Sequence, residues 1–125
     1  MLLAEDHPTN QKVVDLILAP YEADLTIVEN GALAVEAFRD ETFDVVLMDI
    51  QMPVMDGLTA IQAMRGIEAD RADRRRTPIV ALSANAMAHH REEAVAAGAD
   101  LHVAKPVTAA ALLAGIHKVL TGVSD

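Results

Sequence analysis

FDVVLM, residues 43–48, is the stretch that most clearly predicts a buried β-strand, and Asp49 follows it directly. A short apolar run without glycine or proline is typical of a strand that is covered on both faces. Similar runs occur on either side of it, and helical patterns with apolar residues three or four positions apart stand between them. The predicted strands are Leu2–Ala4, Leu25–Val28, Phe43–Met48, Pro78–Leu82 and Leu101–Ala104.

The strict alternation of five strands with five helices predicts an α/β fold with a parallel sheet and helices on both faces. Right-handed crossovers leave few topologies, and a doubly wound sheet with strand order 2-1-3-4-5, the flavodoxin-like (βα)5 arrangement, is the natural one. The 125 residues are enough for a single domain, so we expect residues 1–125 to form one unit. Because the chain begins inside a predicted strand, we expect it to be excised from a longer protein.

Composition excludes several classes of function. Hydrophobic residues make up 52% of the chain, which excludes disorder, but aromatic residues make up only 2%, too few for stacking on bases or flat cofactors. The net charge of −9 disfavours nucleic acid and anionic membranes. The absence of cysteine excludes thiolate chemistry and is compatible with a reducing compartment. No apolar run has the roughly 18 residues that a membrane span needs.

Charged and polar residues follow the predicted strands. Glu5 and Asp6 follow the first strand, Asp49 the third, Ser83 the fourth and Lys105 the fifth. Because ligands of open parallel sheets bind beyond the carboxyl ends of the strands, we expect these side chains to converge there. Three carboxylates repel one another unless a hard cation takes their charge, and oxygen ligands point to Mg²⁺ or Mn²⁺. An aspartate beside such an ion and a lysine can attack phosphorus as a nucleophile.

Four motifs carry a family resemblance. They are Glu5-Asp6, MDIQMPVMDG at residues 48–57, LSANAM at residues 82–87 and AKP at residues 104–106. Together they resemble a response-regulator receiver domain of two-component signalling, from Met1 to about Leu120. The pattern EDxPxNQ at residues 5–11 resembles the receivers of hybrid sensor histidine kinases.

The resemblance implies a role for each matching position. Asp49 is the implied phosphoacceptor, and Mg²⁺ or Mn²⁺ is the implied cofactor. The implied metal ligands are Asp6 directly, Glu5 mostly through water, Asp49, and the backbone carbonyl of Gln51. The implied phosphoryl-binding groups are Lys105, the Ser83 hydroxyl and the backbone amide of Ala84. The remaining implied roles are a conformational switch at Ser83 and His102, tuning of phosphoryl lifetime by Gln51 and Asn85, and a cis peptide bond between Lys105 and Pro106.

Two positions depart from the family pattern. His7 stands where the hybrid-kinase pattern usually has asparagine, and His102 stands where receivers usually have tyrosine or phenylalanine. Neither change removes a group that the phosphoryl chemistry needs.

The resemblance further implies a histidine kinase or a histidine phosphotransfer protein as partner, with a donor face around residues 7–18 and the loop beyond the fifth strand. We expect no nucleic-acid or direct membrane contact and a monomer. The expected location is the cytoplasm, free or tethered through a parent hybrid kinase. The domain itself is expected to take part in its own phosphorylation and dephosphorylation.

Three alternatives stay open. A receiver used only for docking would keep the fold without the reaction. A phosphohydrolase of the haloacid dehalogenase type needs a second aspartate at position 51, where this chain has Gln51. A flavodoxin-like cofactor binder needs Ser, Thr and Gly rather than two carboxylates after its first strand.

Overall fold

A computed structural model describes residues 1–21, 24–52, 54–71, 76–83, 88–105 and 107–121, with the backbone alone for residues 88–90. The strands are β1 (Leu2–Ala4), β2 (Thr26–Val28), β3 (Val46–Asp49), β4 (Ile79–Ser83) and β5 (Leu101–Ala104). The helices are α1 (Pro8–Leu18), α2 (Gly31–Asp40), α3 (Gly57–Asp70), α4 (Ala88–Ala97) and α5 (Ala109–Thr121), and a 3-10 turn over Ala19–Tyr21 follows α1.

The sheet has the order β2-β1-β3-β4-β5, and every pair of neighbouring strands is parallel. The predicted doubly wound topology is therefore confirmed. The register aligns Ala4 with Met48, Met48 with Ala81, and Ser83 with Ala104. The carboxyl ends of β1, β3, β4 and β5 consequently lie along one edge of the sheet.

The central strands β1, β3 and β4 are buried along their whole length, which explains their continuous apolar runs. Alternate residues face two separate clusters. One cluster packs Leu2, Val46 and Ile79 against helices α2, α3 and α4. The other packs Leu3, Leu47 and Val80 against α1 and α5.

The strand boundaries shift from the predicted ones at the second, third and fourth strands, and β2 begins at Thr26 rather than at Leu25. Strand β3 runs over Val46–Asp49 rather than residues 43–48, although Phe43 and Val45 are buried before it begins. Strand β4 runs over Ile79–Ser83 rather than residues 78–82, so it includes Ser83. Apolar patterns predict burial, whereas the pairing of the backbone sets the ends of a strand, so the two need not coincide. No helix in the described part of the chain combines the length and apolar character that crossing a bilayer requires.

A polar cluster, which we call the Arg65 cluster (Arg65, Glu68, Arg76, Thr77 and Asp100), lies at the opposite edge of the sheet. The guanidinium of Arg65 donates to Oε1 of Glu68 at 2.7 Å and to Oδ2 of Asp100 at 2.9 Å. It also donates to the backbone oxygens of Thr77 at 2.8 Å and Gly98 at 2.9 Å. These bonds connect α3 to the start of β4 and to the turn between α4 and β5.

Candidate functional site

Three charged side chains meet at the carboxyl edge of the sheet: Asp49 ends β3, while Glu5 and Lys105 directly follow β1 and β5. Nζ of Lys105 lies 2.8 Å from Oε1 of Glu5 and 3.0 Å from Oδ2 of Asp49. Glu5 is 1% exposed and Asp49 is 2% exposed. The ammonium of Lys105, whose side chain is 15% exposed, thus bridges two buried carboxylates, and the predicted convergence of these three residues is confirmed.

Asp6 completes a group of three carboxylates. One oxygen from each of Glu5, Asp6 and Asp49 lies within 4.8 Å of the other two. Oδ1 of Asp6 is buried and has no hydrogen-bond partner among the residues that the structure describes. An oxygen-only donor set with an unsatisfied buried carboxylate oxygen fits a hard divalent cation such as Mg²⁺ or Mn²⁺. These residues could therefore hold the predicted metal.

Burial and the Lys105 ammonium act in opposite directions on the two buried acids. Burial raises the pKa of Asp49 to about 6, and the neighbouring Glu5 adds to that rise. Burial would also raise the pKa of Glu5, but the hydrogen bond from Lys105 and further bonds outweigh it, so the pKa of Glu5 is lowered. Burial alone would lower the pKa of Lys105, but hydrogen bonds to Glu5 and Asp49 raise it instead. At neutral pH Glu5 and Asp49 are therefore both ionised beside the Lys105 ammonium.

The other predicted site residues lie around this centre. Ser83 is buried at the end of β4, and its backbone oxygen accepts a 2.8 Å bond from the N–H of Lys105. The N–H of Gln51 donates to Oδ1 of Asp49 at 3.2 Å, while its side chain is exposed. His102 is half-buried on β5 and aligns with Ala81 rather than with Ser83.

An open cleft of about 420 Å³ adjoins the carboxylates and is lined by Asp6, Ile50, Gln51, Met52, Asp56 and Leu58. The expectations for Ala84, for Asn85 and for the peptide bond between Lys105 and Pro106 fall on positions outside the described residues, and they stay predictions.

The loop between β3 and α3 is packed tightly against the end of β3. The N–H of Gly57 donates to the oxygen of Ile50 at 2.8 Å, and a Cβ at Gly57 would lie 2.2 Å from the backbone oxygen of Asp49. Val54 has a φ of 69°, a left-handed conformation that is costly for a β-branched residue, and it is 84% exposed. The loop therefore holds strain within a few residues of Asp49.

Gln11 contacts the site, although the sequence pattern assigns it no role. Nε2 of Gln11 donates a 2.7 Å bond to the backbone oxygen of Glu5. Gln11 lies in the first turn of α1, and the quoted pattern at residues 5–11 contains it, but its spacing alone does not show where its side chain points.

Residues 1–117 match the response regulator receiver domain family. The chain is 42% identical over 108 residues to the sensor protein GacS of Pseudomonas syringae pv. syringae, a match that covers 86% of this chain and 12% of that protein. The chain thus spans a small part of the length of this curated relative.

Two solved structures extend the comparison. The receiver domain of the sensor histidine kinase PA1611 from Pseudomonas aeruginosa PAO1, solved with a magnesium ion in its active-site cleft, is 35% identical with a TM-score of 0.84, covering 96% of this chain and 95% of that chain. A chain from the Saccharomyces cerevisiae complex of the phosphotransfer protein Ypd1 with the Ssk1 receiver domain is 26% identical with a TM-score of 0.88, covering 96% and 87%.

Proposed function

The chain belongs to the response regulator receiver domain family of two-component phosphorelays, and on this premise we propose that it accepts a phosphoryl group on Asp49 from a phosphohistidine. The observation that carries the proposal is the placement of Asp49. Its carboxylate is buried at the end of β3, with the Lys105 ammonium 3.0 Å away and the carboxylates of Glu5 and Asp6 beside it.

The chain's own residues account for the transfer. A carboxylate oxygen of Asp49 forms the new P–O bond while the P–N bond to the donor imidazole breaks, and the imidazole leaves with its electron pair and takes up a proton. With a pKa of about 6, Asp49 is ionised and nucleophilic at neutral pH. Lys105 already contacts Oδ2 of Asp49, so its ammonium is placed to neutralise charge on the phosphoryl oxygens.

The proposed metal ligands are the carboxylates of Glu5, Asp6 and Asp49 and the backbone carbonyl of Gln51. A bound Mg²⁺ would supply charge neutralisation at the phosphoryl oxygens. The Ser83 hydroxyl and the Ala84 amide are proposed to donate to those oxygens, Gln51 and Asn85 to tune the lifetime of the phosphoryl group, and Ser83 with His102 to relay the change to a partner surface.

The proposed donor is a histidine kinase or a histidine phosphotransfer protein. The exposed apolar side chains of Leu16, 60% exposed, and Tyr21, 63% exposed, on and just after α1 support a docking face there. The likeness to a receiver solved with a phosphotransfer protein and to part of a sensor kinase supports this choice of partner. We propose further that residues 1–125 form a single receiver domain. This domain would belong to a hybrid sensor histidine kinase and lie in the cytoplasm.

The test is phosphorylation by acetyl phosphate with Mg²⁺, followed by intact mass. We expect one phosphoryl adduct in the wild type and none in Asp49→Asn, with Asp44→Asn, an exposed aspartate before β3, as the matched control that still reacts. A wild type that stays unmodified would favour the docking-only alternative. An adduct in Asp49→Asn would place the reaction at another residue.

A further inference from the structure

We propose that Gln11 is a positioning residue of the acid site, because its side-chain amide fixes the peptide unit between Glu5 and Asp6. The backbone oxygen that accepts the 2.7 Å bond from Nε2 of Gln11 belongs to Glu5. That oxygen and the N–H of Asp6 share one planar peptide unit. Holding the oxygen therefore fixes the plane from which the Asp6 side chain projects. The inference rests on the proposed function, since it takes Asp6 to be a metal ligand.

Glu5, on one side of this peptide unit, is held at several atoms. Its N–H donates to the oxygen of Val28 at 3.0 Å, which continues the pairing of β1 with β2. Its carboxylate accepts a 2.8 Å bond from Nζ of Lys105 and a 3.3 Å bond from the N–H of His7. The bond from Gln11 adds the carbonyl oxygen to this set. The backbone and the side chain of Glu5 are therefore both held in place where the chain leaves the sheet.

Among the described residues, fewer groups restrain the carboxylate of Asp6, on the other side. Oδ1 has no hydrogen-bond partner among the described residues, and Oδ2 lies 3.8 Å from the ring nitrogen of an exposed histidine, His7. Hydrogen bonds from the described residues thus do little to orient the carboxylate of Asp6. Its direction depends on the backbone before it, and Gln11 holds that backbone.

The position of Gln11 at the start of α1 allows its side chain to hold this backbone. The N-cap residue of the helix is His7, and its side chain makes no capping bond. Gln11 is anchored by its own N–H, which donates to the oxygen of His7 at 3.0 Å, and its side chain reaches back to Glu5. Gln11 therefore connects the first turn of α1 to the end of β1 across the loop that carries Asp6.

The experiment compares Gln11→Met, which keeps the side-chain length and removes the donor, with Gln62→Met, the same change at an exposed position on α3. Binding of Mg²⁺ is followed by NMR titration, and stability by thermal melts in EDTA. We expect Gln11→Met to raise the dissociation constant for Mg²⁺ about tenfold, the low end of the effects seen for residues that support metal ligands. Gln62→Met should leave it unchanged.

A second variant separates positioning from helix stability. Adding His7→Asn to Gln11→Met supplies a side-chain N-cap, which stabilises α1 without touching the oxygen of Glu5. Because this change also removes the ring nitrogen 3.8 Å from Oδ2 of Asp6, the single variant His7→Asn serves as its reference. We expect this double variant to recover the melting temperature but not the Mg²⁺ affinity. Equal affinities in Gln11→Met and Gln62→Met, or an affinity restored by His7→Asn, would overturn the positioning role.

A metal-free measurement keeps the inference distinct from the proposed function. Hydrogen exchange of the His7 amide, which donates to Glu5, should be several-fold faster in Gln11→Met than in the wild type. A wild type that binds no Mg²⁺ would refute the proposed metal site, and the exchange rate would then decide on Gln11 alone. Faster exchange supports its hold on the Glu5–Asp6 peptide, and an unchanged rate refutes it.

Discussion

Replacing Asp49 by asparagine should stabilise the metal-free domain at neutral pH. The pKa of this buried carboxyl is about 6 in the folded protein and 3.8 in its ordinary surroundings. The folded state therefore binds the proton more tightly than the unfolded state. The resulting destabilisation is absent well below pH 3.8 and grows until the pH exceeds about 6. This cost is about 3 kcal/mol at pH 7.5 and about 1 kcal/mol at pH 4.5.

The assay is urea unfolding in EDTA, followed by far-ultraviolet circular dichroism because the chain has no tryptophan and one tyrosine. We expect Asp49→Asn to be more stable than the wild type by about 2–3 kcal/mol at pH 7.5, with the gap narrowing by about 2 kcal/mol at pH 4.5. Taking the difference at each pH reduces the contribution of other titrating groups. A gap that is zero at pH 7.5, or the same at both pH values, would refute the reasoning.

Three further changes have directions that the structure fixes. Lys105→Met leaves two buried carboxylates without their cation and should cost about 3–5 kcal/mol in EDTA, with partial recovery in Mg²⁺; unchanged unfolding would contradict the ion-pair geometry. Arg65→Met removes four hydrogen bonds at the opposite edge of the sheet and should cost about 3 kcal/mol while the Mg²⁺ affinity stays the same, as titration can check. Val54→Gly relieves a left-handed valine and should raise stability by about 1 kcal/mol in the same urea assay, whereas a loss would argue against strain there.

The sequence predicts the sheet and the residues at its edge because both follow from local patterns. The buried run before Asp49 identifies the central strand, and parallel strands necessarily bring the residues after them to one edge. The sequence alone thus predicts that Glu5, Asp6, Asp49 and Lys105 lie together, as they do in the structure. Predicting that these residues lie together requires only the order of the strands in the sheet.

Pairings within that group could not be predicted in the same way. That Lys105 bridges Glu5 and Asp49, and that Gln11 binds the oxygen of Glu5, depend on side-chain rotamers and on the angle at which α1 leaves the sheet. The Arg65 cluster cannot be predicted from the sequence for the same reason, since its members are spread over residues 65–100 and no spacing relates them. Where a polar side chain has several potential hydrogen-bond partners, only the three-dimensional packing decides which of them it binds.

The bridge between Glu5 and Lys105 joins positions that are 100 residues apart. During synthesis the acidic side of the site emerges early, and its positive counterpart emerges only when β5 has been made. Until β5 docks beside β4, Glu5 and Asp49 lack the ammonium that contacts both of them in the folded chain. Under the proposed function, a chain arrested before β5 would therefore lack the cation that Asp49 needs in order to accept a phosphoryl group.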